Sequence, residues 1–127
     1  MALLVPNVGE DEMLERIVNG TDKLNLHLYS DEITPVEAST TASFTECTGS
    51  GYALKALTAT WTVAGDPTEA SYAQQSFDFT GSQTVHGYYL TNSGNSILMW
   101  AEKFTDGPYN IPSGGGSVKI TPKIQLD

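Results

Sequence analysis

Cysteine and histidine, which most often hold zinc in proteins, are scarce in this sequence. The 127 residues include one cysteine, Cys47, and two histidines, His27 and His86, far apart along the chain. A single cysteine cannot form an intramolecular disulfide, so the fold does not require an oxidising compartment. Structural zinc needs several Cys and His side chains at short, fixed spacing, and the sequence offers no such group.

Basic residues are also few. Six lysines and arginines stand against 15 aspartates and glutamates, which gives a formal net charge of -9, and Arg16 is the sole arginine. Nucleic-acid binding draws on a stripe of basic side chains that neutralises phosphates, and docking on anionic lipid needs a similar patch. We therefore expect neither nucleic acid nor a membrane among the partners.

The sequence shows no export signal. Its opening residues 1–6, MALLVP, carry no basic flank, and their apolar run is too short for a signal peptide or a membrane span. We expect the chain to be made and retained in a cytoplasm until it meets its partner.

The length fits one domain, residues 1–127, with enough chain to bury a core. Residues 10–19 carry apolar side chains at helical spacing, have acids in the first turn, and end in Asn19-Gly20. This pattern predicts one short helix whose acids stabilise the helix dipole.

From Leu24 onward the apolar period changes from 3.6 to 2. Leu24, Leu26 and Leu28 alternate with polar residues, which predicts a strand with one solvent-facing side. The other predicted strands are residues 52–63, 72–79, 85–91, 96–104 and 118–126, and residues 31–51 are predicted to be mostly loop. Residues 92–95, NSGN, predict a hairpin turn, and Pro122 predicts a sheet edge or a bulge in the last strand. The predicted fold class is all-β, an antiparallel β-sandwich or jelly roll over residues 24–127, with a short N-terminal helix.

No constellation of residues predicts catalysis. His27 and His86 are expected to be structural, and no nucleophile elbow or phosphate-binding loop occurs. Loop acids near Asp31, Asp66 and Asp106 would suit calcium by residue type, but they lack the spacing of an EF-hand. We therefore expect no cofactor, no bound metal and no enzymatic activity.

The hairpin region is unusual because bulky apolar groups occur on both faces of adjoining strands. Its candidate interface residues are Tyr88, Tyr89, Leu98 and Trp100. Three explanations stay open: both faces are covered within the chain, for example by the N-terminal helix; one face meets another chain; or exposed aromatics stack on sugar rings. The surplus apolar surface leads us to expect self-association.

Segments spread over nearly the whole chain carry a family resemblance. They are residues 1–10 (MALLVPNVGE), 87–90 (GYYL), 99–104 (MWAEKF), 106–108 (DGP) and 119–126 (KITPKIQL). In these segments the chain resembles a group of small tailed-bacteriophage virion proteins. The resemblance implies a capsid decoration, or cement, protein that binds the major capsid protein and stabilises the head shell at the virion surface. It also implies a homo-oligomer, with a trimer favoured.

Residues 1–9 are the candidate arm, since decoration proteins often clip neighbouring subunits with a terminal segment. Leu3, Leu4 and Val5 either insert into a groove on a neighbour or cover the core of their own domain. The alternative function is a tail- or fibre-associated adhesion module that binds host surface glycan through aromatics such as Tyr88, Tyr109 or Trp100. A third hypothesis, a small hydrolase that uses carboxylates, has no residue spacing to support it.

Overall fold

The computed structural model describes residues 2–49 and 51–126 as one helix and eleven strands. The elements are α1 (Asn7–Val18), β1 (Asn25–Tyr29), a 3-10 turn (Thr41–Ser43), β2 (Lys55–Ala56), β3 (Thr62–Ala64), β4 (Glu69–Ser71), β5 (Gln75–Phe79), β6 (Gln83–Val85), β7 (Gly87–Thr91), β8 (Leu98–Lys103), β9 (Tyr109–Ile111), β10 (Gly116–Ile120) and β11 (Lys123–Gln125). The predicted fold class is confirmed: the chain is an all-β sandwich with a short N-terminal helix.

All strand pairs are antiparallel and form four sheets. The largest has the order β2-β1-β7-β8, and the others are β10-β5, β11-β4-β3 and β6-β9. Buried side chains from α1 and from strands of every sheet form one main apolar cluster between them. Strands β1 and β7 contribute the completely buried Leu26, Leu28 and Leu90 to this cluster, together with Tyr88.

Helix α1 begins at Asn7, three residues before the predicted start, and ends one residue early at Val18. Pro6 is extended, with φ -65° and ψ 157°, and its carbonyl accepts the first hydrogen bonds of the helix. The predicted bound of the arm, residues 1–9, is therefore wrong, because residues 7–9 belong to the helix and the arm ends at Pro6. Leu14 and Val18 are buried. The Asn19 side chain accepts a hydrogen bond from the Trp61 amide at 2.8 Å and donates one to its carbonyl at 3.0 Å, which anchors the end of the helix.

Several predicted strands are broken where the chain passes from one sheet to another. The predicted strand 85–91 divides at His86, because β6 pairs with β9 while β7 pairs with β1 and β8. The last strand divides at Pro122, since β10 pairs with β5 and β11 with β4. Its alternation is confirmed by burial of Val118 and Ile120 beside exposed Lys119. Pro122 sits at a corner between sheets, where its missing amide hydrogen breaks no ladder.

The predicted strands 52–63 and 72–79 are shorter than the sequence pattern suggests. Residues 57–61 carry no ladder; instead the Thr58 amide donates to the Tyr72 hydroxyl at 3.1 Å. Side-chain oxygens, the Tyr72 hydroxyl at Thr58 and the Asn19 amide oxygen at Trp61, thus replace strand hydrogen bonds in part of this stretch. Strand β9 was not predicted at all, because Tyr109–Ile111 is too short for an alternating pattern to be recognised.

The predicted hairpin is confirmed as β7 and β8. Asn92 accepts hydrogen bonds at its side-chain oxygen from the amides of Ser96, at 2.8 Å, and Ile97, at 3.0 Å. Asn95 adopts the left-handed region with φ 58°, which asparagine tolerates well in turns. A bulge at Leu90/Thr91 shifts the register of the ladder.

One prediction about β1 is wrong: the strand has no solvent-facing side. All five residues are buried, including His27 at 2 % exposure. The side of β1 and β7 that faces away from the main core is covered by the loop after β1, which brings Phe44 onto Tyr29 and Tyr89. We call Tyr29, Phe44 and Tyr89 the second cluster. The covering layer is this loop and not helix α1, which contacts β3 and β4 instead.

Glycine is needed opposite Tyr29. Gly87 pairs with Tyr29 across the β1–β7 ladder, and a Cβ atom at this position would collide with the Tyr29 ring and with the Glu102 carbonyl. The missing side chain therefore lets the ring lie flat over the sheet, where its hydroxyl donates to the Ile33 carbonyl at 3.0 Å.

Replacing Phe44 by alanine tests whether the loop after β1 is an integral layer. We expect Phe44→Ala to lower the free energy of unfolding by about 3 kcal/mol, because a buried ring is lost from the second cluster. Val36→Ala in the same loop is the control, since Val36 is 65 % exposed, and its effect should stay within about 0.5 kcal/mol. Urea unfolding followed by tryptophan fluorescence measures both, and equal stability of the two variants would contradict the assignment.

Candidate functional site

The arm residues are strongly exposed. Leu3 is 96 % and Leu4 is 87 % exposed, whereas Val5 at 38 % lies beside Gly9 of the first helical turn. Residues 2–6 have no regular secondary structure, and neither leucine covers the core of its own chain. Of the two explanations that the sequence left open, this geometry favours an arm available to a neighbour.

The other candidate interface residues are less accessible. Tyr88 is 4 % and Tyr89 is 5 % exposed, so little of either ring can contact a partner. Leu98 and Trp100 are half-buried on β8, the edge strand of the largest sheet. The Trp100 ring meets Trp61 nearly edge-on at 5.8 Å, and its N–H has no hydrogen-bond partner within residues 2–49 and 51–126.

A polar network joins the covering loop to β1 and β7. His27 Nδ1 lies 2.7 Å from Glu46 Oε2, and His27 Nε2 lies 2.9 Å from Thr91 Oγ1. The Tyr52 hydroxyl donates to the same Glu46 oxygen at 2.6 Å, and burial together with this bond raises the pKa of Tyr52. Tyr89 stacks on the imidazole at 4.6 Å with a 6° interplanar angle.

Glu46, His27 and Thr91 stand in the order of a catalytic triad. Thr91 is, however, only 1 % exposed, and its hydroxyl donates a hydrogen bond to the Asn92 carbonyl at 2.9 Å. A substrate atom would have to displace Tyr89 or the loop to reach it. We therefore interpret the network of His27, Glu46, Tyr52 and Thr91, which we call the clasp, as structural. It supplies hydrogen-bond partners to polar groups buried between the sheet and the loop.

Cys47 follows Glu46 in the loop segment that lies beside β1, and it is 1 % exposed. Its amide donates to the Leu28 carbonyl at 2.9 Å, which continues the pairing of the loop with the strand. Burial raises the pKa of the thiol to about 12, so the sulfur is held as an unreactive thiol near neutral pH.

Two of the loop acids that suit calcium by residue type accept hydrogen bonds: Asp31 from the Thr45 amide at 3.0 Å and Asp106 from the Tyr109 hydroxyl at 2.7 Å. On α1, Asp11 accepts from the buried Thr68 hydroxyl at 2.8 Å. Across residues 2–49 and 51–126, no three His, Cys, Asp or Glu side chains converge in a way that would hold a metal ion. Nor is any helix in that part of the chain long and apolar enough to cross a membrane.

Two adjoining depressions share Tyr109 and Lys119, and together we call them the Tyr109 groove. The first, of about 270 Å³, is lined by Tyr88, Glu102, Phe104, Thr105, Asp106, Tyr109, Lys119, Ile120, Thr121 and Lys123. The second, of about 540 Å³, is lined by Pro108, Tyr109, Asn110, Ile111, Ser117, Val118 and Lys119. The sequence singled out Tyr109 only as one of several aromatics. The groove needs β7, β8, β9, β10 and β11 to meet, which no local pattern reveals.

Protein-family models, curated proteins and solved structures were each compared with this chain, and none of the three comparisons finds a match.

Removing the central acceptor of the clasp tests its structural role. Glu46→Ala leaves the Tyr52 hydroxyl and His27 Nδ1 without their common partner, so we expect a loss of roughly 1–3 kcal/mol in the free energy of unfolding. Glu46→Gln keeps an acceptor oxygen and should lose less.

Glu37→Ala is the matched control, because Glu37 is an exposed acid of the same loop. Its effect should be within about 0.5 kcal/mol. The shift in the urea midpoint measures all three variants, and a Glu46→Ala protein as stable as the Glu37→Ala protein would argue against the clasp.

Proposed function

We propose that this chain is a non-enzymatic virion structural protein, a capsid decoration protein of a tailed bacteriophage. It binds the major capsid protein on the virion surface and stabilises the head shell without a catalytic step. The resemblance of residues 1–10, 87–90, 99–104, 106–108 and 119–126 to small phage virion proteins supports the proposal.

The exposed arm is the observation that carries the proposal. Two leucines that are 96 % and 87 % exposed lie in residues 2–6, a segment outside any helix or strand that has no charged side chain. Exposed apolar side chains gathered in one segment mark a site of interaction with another protein. Burying a leucine side chain contributes roughly 2 kcal/mol, so the pair can supply about 4 kcal/mol to binding.

The rest of the chain suits a protein that is attached to a surface. Its two apolar clusters and the clasp leave the arm as the exposed segment richest in large apolar side chains. The net charge of -9 keeps the free protein soluble before assembly and favours a basic partner surface.

A shell-binding experiment tests the proposal. Purified protein mixed with expanded phage shells that lack it should bind saturably and raise the temperature at which the shells disrupt. The double variant Leu3→Ala, Leu4→Ala should bind at least about 100-fold more weakly, because most of the apolar contact of the arm is lost.

The matched control is Val36→Ala with Ile97→Ala, which removes exposed apolar groups, 65 % and 58 % exposed, from outside the arm. This control should bind like the unmodified protein. Absence of saturable binding would refute the decoration role, and equal binding by the arm variant and the control would refute the role of the arm.

Self-association is the second part of the proposal, with a trimer as the favoured state. The arm of one copy and a surface of the next would make a heterologous contact, and such contacts close into rings when the rotation allows. Light scattering of the shell-free protein at micromolar concentration should give three times the 13.6 kDa chain mass. A mass of one chain would contradict assembly in solution.

A further inference from the structure

The Tyr109 groove holds an aromatic ring in a fixed position. The Tyr109 ring packs against Phe104 with centroids 4.8 Å apart, and its hydroxyl donates to Asp106 Oδ1 at 2.7 Å. This hydrogen bond raises the pKa of Tyr109 above its ordinary value. Contacts at two sides restrain the half-buried ring before any ligand arrives, which lowers the entropic cost of stacking on it.

Free polar groups surround this ring. Glu102 uses Oε2 to accept from the Tyr88 hydroxyl at 3.1 Å, and Asp106 uses Oδ1 for Tyr109. Within the described part of the chain, the second oxygen of each carboxylate, the Lys119 ammonium and the Thr121 hydroxyl have no protein partner. The groove therefore offers acceptors and donors side by side along an aromatic face.

The charges identify the chemical class of ligand. Two carboxylates, Glu102 and Asp106, line the groove together with two amines, Lys119 and Lys123, of which Lys123 also lies 4.0 Å from Glu69. The lining therefore carries charges of both signs, with no excess of positive charge that would select an anion. A phosphate would meet the carboxylates, and a purely apolar ligand would leave all four charged groups without new partners. A polyhydroxylated ring satisfies both donors and acceptors through its hydroxyls and stacks its C–H face on the tyrosine.

We propose that the Tyr109 groove binds a neutral oligosaccharide, with one sugar ring stacked on Tyr109 and its neighbours in the two flanking depressions. The pair of adjoining depressions gives room for more than one sugar unit, and their open form suits a chain that continues past both ends. The net charge of -9 on the whole chain disfavours an acidic polysaccharide. This inference does not rest on the virion proposal.

An array of neutral glucose, mannose and galactose oligomers, printed beside acidic uronate oligomers, tests the inference. The unmodified protein should bind at least one neutral series and should bind it better than the uronates. Binding to no neutral oligomer, or to the uronates alone, would overturn the inference.

Calorimetric titration with the best neutral oligomer then locates the site. Tyr109→Ala should weaken binding about tenfold or more, while Tyr109→Phe, which keeps the ring, should stay within about threefold. Lys119→Ala, which affects both depressions, should also weaken binding, and Lys23→Ala is its control because Lys23 is an exposed lysine outside the groove.

Circular dichroism checks the fold of each variant. If Tyr109→Ala does not fold, Lys119→Ala against Lys23→Ala decides the question. Binding that is unchanged in Lys119→Ala and in any folded Tyr109→Ala protein would place the sugar elsewhere and overturn the assignment to this groove.

Discussion

The structure depends on burying both faces of one strand pair, β1 and β7. Their five-residue register presents leucines to the main core and Tyr29 and Tyr89 to the opposite side, where water would otherwise reach them. Both faces of an interior strand pair must pack against other parts of the chain. The main core packs on one face, and the loop after β1 packs on the other. Phe44 contributes apolar area, and Glu46 supplies the acceptor that buried His27 and Tyr52 require. The loop after β1 and the β1–β7 strand pair therefore stabilise one another.

The sequence predicted the elements better than it predicted their environment. Alternation of apolar residues identified β1 and the last strand, and NSGN identified the hairpin, because these patterns are local. The polar residues of β1 suggested a solvent-facing side. This prediction was wrong because a local pattern cannot show that the loop following the strand folds back over that side. The corners at His86 and Pro122 were missed for the same reason: they depend on which distant strand is the partner. The hydrogen-bonding groups of the Tyr109 groove come from five strands and the loops beside them, and no spacing along the chain predicts that they meet.

Covering both faces of the central strands has a consequence for function. It removes Tyr88 and Tyr89 from the surface, so the bulky hairpin is explained mainly by the core of this chain. Exposed apolar side chains remain in the arm and on α1, and Leu3 and Leu4 of the arm are the most exposed of them. A sandwich with an exposed apolar terminal segment is the arrangement expected of a protein that attaches to a larger assembly, and the proposed head shell is such an assembly.

Cryo-electron microscopy of expanded shells saturated with this protein would show directly how it attaches. We expect one ordered copy or ring at equivalent positions of the shell, with density for residues 2–5 lying in an apolar groove of a neighbouring subunit. Decorated shells in which the arm points into solvent and another face makes the contact would contradict it.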